Sequence, residues 1–329
     1  MTAGIIDKTY VINLEKRVDR WNKIQDDFKN TDLKLTRWNA VYGKDMDEKS
    51  IKELTTTRCY YLCAPSIIGC WLSHAKLWEH IVKNNENNVL VLEDDSYPTE
   101  RFDNLSQLWK EIPEDWDMVY FGCYGSCEKG ILFNLKNNQV ISKNVIRPVI
   151  PIGTHAYLLS NRGARKLLEH KDLKKISFHL DCTLAATFDK NFRVYAFVPP
   201  LVHQIVDSDY SDNQANVHPL ISNFAKGVMT SEHHTLDTYM SSHLITLRHL
   251  GINITTFVLA AVLISLIIGF IFPKPINHYY LTIVLLFYLF EVALKTQTTR
   301  ANTKNILFEI FLIIISTQIG YSLKELIFN

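Results

Sequence analysis

Asn88-Val89-Leu90-Val91-Leu92-Glu93-Asp94-Asp95 is the stretch on which the reading of the fold turns. An unbroken run of apolar residues after an Asn-rich turn fits a strand buried on both faces, as in the sheets of α/β proteins. A strand that finishes in carboxylates delivers them to the edge of the sheet, where open α/β folds bind their ligands. Three adjacent carboxylates repel one another and titrate abnormally unless a cation or hydrogen-bond donors neutralise them. An all-oxygen set suits a hard divalent cation, Mg²⁺ or Mn²⁺. The alternative is a solvated turn after a strand, and the rest of the chain must decide between the two.

The chain has 329 residues, room for one good-sized domain and a second region. Its net charge of +1 gives no electrostatic signal for nucleic acid. Apolar residues are unevenly spread: the first two-thirds reads as a soluble domain, the last quarter as membrane-like. Six cysteines (Cys59, Cys63, Cys70, Cys123, Cys127 and Cys182) include no Cys-x-x-Cys pair. Reduced thiols are expected, with a zinc site from Cys59, Cys63 and Cys70 as the lesser reading. Met1 to Asn13 shows no basic segment followed by a long apolar core, so the domain is expected to face the cytosol.

Upstream, Tyr10 to Leu14 reads as a short strand, followed by a helix opening near Arg17 and reaching about Phe28. Arg17 and Arg20 share a face of its first turn, which makes either an anion site at a helix N-terminus or a solvated basic face. Thr36 to Val41 is a second candidate strand. Ile67 to Lys83 has apolar residues at helical spacing on two faces, which places His74 on a semi-apolar surface beside the site rather than as a ligand. Downstream, Trp116 to Gly122 and Gly153 to Leu159 read as strands, with a hairpin expected within 125–149. Ser160 or Asn161 caps a helix. Asp181 stands at a helix start, and a strand at Val194 to Val198 precedes Pro199-Pro200-Leu201-Val202-His203-Gln204. The alternation of strand and helix argues for parallel βαβ units.

From about Asn216 to His249 the sequence is polar and carries His218, His233, His234, His243 and His249, read as a connector with incidental histidines. Three apolar runs follow, at about 252–272, 277–295 and 305–323, read as transmembrane helices, the second marginal in length. Arg248, Lys295, Arg300 and Lys304 then fall on one side, which the positive-inside rule assigns to the cytosol together with the N-terminal domain. Glu291 lies one turn from Lys295, and pairing or snorkelling accounts for it.

Taken together, these stretches resemble glycosyltransferase family 25, which includes bacterial lipooligosaccharide sugar transferases and collagen galactosyltransferases. The matching segments are Tyr10-Val-Ile-Asn-Leu14 with Arg17 and Arg20, Gly69-Cys-Trp-Leu-Ser-His74 with Trp78, and Leu92-Glu-Asp-Asp95. Trp116 to Gly122, Ala156 to Leu168, His179-Leu-Asp181, and Pro200 to Gln204 with Ser208-Asp209 complete the set. They run in the family's order over roughly residues 8 to 215; the apolar runs lie outside the pattern.

The resemblance implies a GT-A-like, Rossmann-type mixed sheet flanked by helices. It gives a catalytic domain over 1–215, a polar linker over 216–250 and a membrane region over 251–329. It also implies a nucleotide-sugar donor (UDP-galactose from the family alone), Mn²⁺ or Mg²⁺, and transfer with inversion to a glycan, lipid-linked or protein acceptor. On that reading Glu93, Asp95 and His203 hold the metal, and Asn13, Arg17, Arg20 and Asp94 contact the nucleotide or its phosphates. Asp181 is the base on the acceptor hydroxyl, its alternative being a helix cap. Two competing readings stay open: a non-catalytic glycan- or nucleotide-binding protein, and a nucleotidyltransferase or hydrolase using the same carboxylates. The absence of a Gly-rich nucleotide loop near the first strand counts against the last.

Overall fold

The computed structural model describes residues 4–127, 138–188, 191–205, 243–296 and 303–328. The chain divides into two compact units, Met1–Tyr210 and Ser211–Asn329. The expectations for Ser208-Asp209 and for His218, His233 and His234 lie outside the described residues.

In the first unit, β1 (Lys8–Asn13), β2 (Leu35–Asn39) and β3 (Val89–Glu93) pair in parallel, β1 in the middle. Helix α1 (Val18–Asp27) joins β1 to β2; α2 (Glu48–Leu54), α3 (Thr57–Leu62) and α4 (Pro65–Lys83) lie between β2 and β3. Next come β4 (Ser96–Pro98), the short α5 (Leu105–Leu108), β5 (Met118–Gly125), β6 (Gln139–Val140), β7 (Val145–Arg147) and β8 (Pro151–Leu159). Then follow α6 (Asn161–Glu169), α7 (Leu180–Thr187), β9 (Val194–Phe197) and β10 (Val202–Gln204).

The eight-stranded sheet has the order β2-β1-β3-β8-β5-β9-β7-β6. It is mixed, as expected, but not a succession of parallel units. β8 inserts antiparallel between β3 and β5, so these two strands point the same way without touching. Local alternation of strand and helix could not reveal this, because the strand that separates them comes later in the chain.

The apolar runs are buried on both faces. Val89 and Val91 of β3 join one core cluster with Trp71, Leu77 and Trp78 of α4. Leu90 and Leu92 join the other, with Ile24 and Phe28. Met118 and Tyr120 against Val119 and Phe121 repeat the division on β5. Helix α6 is anchored by the fully buried Asp117, whose carboxylate accepts from Arg162 Nε (2.6 Å) and Lys166 Nζ (2.6 Å).

Four of the six cysteines are paired, Cys59 with Cys63 and Cys123 with Cys127, which corrects the expectation of reduced thiols. Both pairs lie four residues apart: the first spans one turn at the end of α3, the second a reversal after β5 opened by Gly125 at φ +70°. Cys70 and Cys182 are free thiols, so the three-cysteine zinc set is not assembled.

β4 and β10 form a separate antiparallel ribbon, with His203 opposite Tyr97 and Gln204 opposite Ser96. The ribbon is held to the sheet where Leu201 N–H donates to Phe121 O (2.7 Å) and Ser96 Oγ to His155 O (2.7 Å). Gly122 makes this approach possible, since a Cβ there would overlap the Val202 carbonyl and the His155 ring. Gly122→Ala is therefore expected to cost about 1–3 kcal/mol, read by chemical denaturation, with β10 displaced.

The described part of the second unit opens with β11 (His243–Leu247), paired antiparallel with β12 (Ile252–Thr255), where linker and the start of a helix were expected. The helix α8 (Thr256–Ile271) has 16 residues and spans about 24 Å at 1.5 Å per residue, short for a bilayer core. α9 (Lys274–Thr296) and α10 (Thr303–Phe328) contain the two stretches long and apolar enough to cross a membrane, which is weak evidence of membrane association. α8 and α10 meet at Gly269 and Gly320, where a Cβ on either would overlap the facing helix backbone.

Candidate functional site

The site forms where the C-terminal ends of the parallel strands β1 and β3 meet the N-terminal part of the antiparallel β8. Ile12 is in register with Glu93, so Asn13 lies beside Asp94. The three acids diverge from there, each to a different set of partners.

Asp94 turns inward. Arg20 Nη1 donates to its Oδ1 (2.9 Å) and Asn13 Nδ2 to its Oδ2 (2.6 Å), and all three residues are buried. Asn13 is fixed in turn, donating to Arg17 O (3.0 Å) and accepting from Arg37 Nε (2.7 Å). Burial raises the Asp94 pKa despite Arg20 and Asn13. Asn13, Arg20 and Asp94, expected at the nucleotide, thus form an internal brace that fixes the strand tip. Arg37, which the sequence did not single out, completes it through the carbonyls of Leu14 (3.0 Å) and Glu15 (2.9 Å). Arg17 lies at the start of α1, where its guanidinium grips Asp19 (2.8 Å) and holds that carboxyl down at about 2. Its side chain keeps 21% of its surface exposed, so of the two arginines it is the one a solvent-borne anion can reach.

Glu93 is held by a buried relay. Trp78 Nε1 donates to Tyr157 Oη (2.9 Å), which lies 2.8 Å from His74 Nδ1; His74 Nε2 is 3.3 Å from Glu93 Oε1, which also accepts from Thr154 Oγ1 (2.6 Å). The ionised Glu93 can only accept, so Nε2 carries the proton that faces it; in the neutral ring Nδ1 then accepts from Tyr157 Oη–H, whose oxygen accepts from Trp78. Burial alone would raise the Glu93 pKa, but the bonds from His74 and Thr154 hold it low. His74 therefore acts as a link that orients a carboxylate, in keeping with its expected place beside the site. Tyr157→Phe should strand the Trp78 and His74 ring nitrogens at a cost of about 1–3 kcal/mol.

Asp95 is the least satisfied of the three acids among the described residues. Its Oδ2 accepts from Gln204 Nε2 (3.0 Å), while the buried Oδ1 has no hydrogen-bond partner among the described residues. Burial, then the charges of Glu93 and Asp94, push its pKa up to about 8. A buried carboxylate oxygen without a donor, in a field of like charge, fits a cation ligand. His203 is brought close in sequence register, one residue before Gln204 and opposite Tyr97, with ring centroids 5.8 Å apart. Among the described residues, the set of potential ligand atoms lying within 4.8 Å of one another is Cys70, His74 and Glu93, not Glu93, Asp95 and His203.

Asp181 joins the same neighbourhood from α7. Gly153 N–H donates to its Oδ2 (3.1 Å) and Cys182 N–H to its Oδ1 (2.8 Å). Burial pushes the Cys70 thiol well above its ordinary range, and the charges of Glu93, Asp181 and Asp95 add to that, so one thiol sits among all three acids. His155, next to Thr154, is fully buried; burial pushes its pKa down to about 4 and keeps it neutral. Thr154, His155, Tyr157 and Gln204 fell in stretches read as strands or family segments but received no role at the site, because each belongs to a strand whose neighbours come from distant positions. The one signal for Gln204 was its place after His203.

The sequence model of the family described as Glycosyltransferase family 25 (LPS biosynthesis protein) matches residues 6–184. A glycosyltransferase 25 family member of Aedes aegypti is 31% identical over 186 residues, covering 52% of this chain and 29% of that protein. Procollagen galactosyltransferase 1-B of Xenopus laevis is 29% identical over 198 residues, covering 56% and 31%. A probable inactive glycosyltransferase 25 family member 3 of Bos taurus is 27% identical over 199 residues, covering 56% and 32%. The chain spans about a third of the length of these relatives.

Proposed function

This chain belongs to glycosyltransferase family 25, and from that membership we propose that it is a metal-dependent, inverting hexosyltransferase with a GT-A-like catalytic unit. The donor is a nucleotide sugar. Galactose is the sugar favoured by the name of the Xenopus relative, and a UDP-sugar the corresponding donor. The acceptor is a glycan, glycolipid or glycoprotein at a membrane surface.

The observation that carries this reading is Asp95 Oδ1, a buried acceptor with no donor among the described residues, beside two further carboxylates. Asp95 and Glu93 would hold Mn²⁺ or Mg²⁺, with His203 as a further ligand. When bound, the cation neutralises the charge that develops on the departing diphosphate. The brace of Asn13, Arg20 and Asp94 keeps the strand tip rigid, and Arg17 at the start of α1 meets the phosphates. Asp181, fixed by the Gly153 amide, takes the proton of the acceptor hydroxyl as the bond to the anomeric carbon forms.

The test is to incubate the full chain with a panel of nucleotide sugars and Mn²⁺ and measure nucleoside diphosphate. Release that a chelator stops supports transfer. Binding without release supports the second reading, a non-catalytic binding protein, which the inactive Bos taurus relative makes worth separating.

We further propose that α9 and α10 tether the enzyme to a membrane, with the α8 segment as a third, shorter membrane element. The two disulfides favour an oxidising compartment for the N-terminal unit, against the cytosolic placement expected from flanking positive charge. Mass spectrometry after alkylation under denaturing, non-reducing conditions should find Cys59, Cys63, Cys123 and Cys127 unmodified and Cys70 and Cys182 alkylated. Alkylation of all six places the unit in the cytosol.

A further inference from the structure

A cleft of about 510 Å³ opens between α3, the turn that follows α6, and α7. Arg58, Lys171, Lys174 and Lys175 line it, against the single acid Asp172. This is a local excess in a chain whose 35 basic and 34 acidic residues otherwise nearly cancel. Asp172 faces His170 at 3.9 Å, while Lys171 and Lys175 form no ion pair among the described residues.

The walls are tied together rather than merely adjacent. Thr56 N–H donates to Ile176 O (2.9 Å), Ile176 N–H to Leu54 O (2.9 Å), and Arg58 Nη2 to Ser177 O (3.2 Å). The Cys59–Cys63 disulfide closes the turn of α3 that follows Arg58. Arg58 also lies over the ring of Phe178 at 5.9 Å, and Lys174 Nζ donates to Leu168 O (2.8 Å), so two of the four cations are held in place. The cleft is therefore preformed, of ordinary ligand-site size, with an aromatic wall and hydroxyls from α7.

Its floor connects it to the candidate site. Cys182 lines the cleft, and its thiol is raised to about 12 by burial, then by the charge of and a hydrogen bond to Asp181. Asp181 is thus tied to the start of β8 through the Gly153 amide (3.1 Å) and to the cleft-lining Cys182 through that residue's amide (2.8 Å). A donor diphosphate belongs at the strand tip, so the cleft on the far side of the proposed base falls to the acceptor.

We propose that this cleft is an acceptor subsite for an anionic oligosaccharide, its sulfate or carboxylate group lying among Arg58, Lys171 and Lys175 and a sugar ring against Phe178. The assignment to the acceptor rests on the transferase reading above; the binding of an anionic sugar does not.

Calorimetry on the full chain at 0.15 M salt tests it, using a sulfated disaccharide, its unsulfated parent and inorganic sulfate as probes. The sulfated disaccharide is expected to bind at least tenfold tighter than either of the others. Lys171→Gln with Lys175→Gln should abolish that preference, whereas the control pair Lys49→Gln with Lys52→Gln, elsewhere on the surface, should not. Both lysines of the test pair are exposed, so the variant folds, as circular dichroism verifies. Equal binding of the parent sugar or of inorganic sulfate, or a preference that survives in the test pair, overturns the proposal. Absence of diphosphate release from any donor sinks the transferase reading instead, and leaves the calorimetric result to decide the cleft.

Discussion

Asp95→Asn should abolish sugar transfer, by about 10³-fold or more, while making the metal-free protein more stable at pH 8. The two effects share one cause. The Asp95 carboxyl titrates at about 8 in the fold against an ordinary 3.8, so between those values the folded state holds a proton that the unfolded state has lost. Stability is fully present below pH 4 and falls as pH rises toward 8. Asparagine keeps the shape and a carbonyl for Gln204 but carries no charge, so the variant lacks that decline. Thermal denaturation in chelator should place it roughly 3–10 °C above the parent at pH 8, with little difference at pH 4. Mn²⁺ should raise the melting temperature of the parent, more so at pH 8 than at pH 5, and leave the variant where it was. A parent that is equally stable across this pH range, or a variant that still responds to Mn²⁺, would remove Asp95 from the metal role.

Asp181→Asn is the second large effect, and its profile differs. The amide oxygen can still accept from Gly153 N–H, so the start of β8 stays in place and donor affinity should be unchanged. What is lost is the ability to take a proton. A base on the attacking hydroxyl contributes about 10²–10⁴-fold, so kcat should drop by that much with KM for the donor constant. Steady-state kinetics with the donor varied separates the outcomes. Unchanged kcat leaves Asp181 as the residue that fixes Gly153 and α7, and a rise in donor KM with kcat intact would move it to donor binding.

Both variants bear on how the site is divided. The strand-tip acids look equivalent when written as Glu93-Asp94-Asp95, but they hold three different jobs in space. Asp94 pairs with a buried arginine, Glu93 is held by a histidine and a threonine, and the Asp95 carboxylate accepts from Gln204 through one oxygen while the other has no hydrogen-bond partner among the described residues. Glu93 ends β3 while Asp94 and Asp95 lie in the turn that follows, so the chain reverses between them and each carboxylate meets its own partners. Asn13 and Arg20 illustrate the same point. Arg17 and Arg20 share a face of the first helical turn, yet in space Arg20 Nη1 reaches inward with Asn13 to Asp94, while Arg17 pairs with Asp19 nearer the surface.

Residue order by itself determined the doubly buried strands, the helices between them, the acidic strand tip and the family, because apolar periodicity and motif spacing are local properties of the chain. Only the tertiary structure decided that β8 separates β3 from β5, that four cysteines pair, that Tyr157 and His74 orient Glu93, and that α7 places Asp181 within reach of the same thiol as the strand-tip acids. These depend on which distant segments become neighbours, and that is set by how two sheet faces bury their side chains together, a quantity no single stretch of sequence contains.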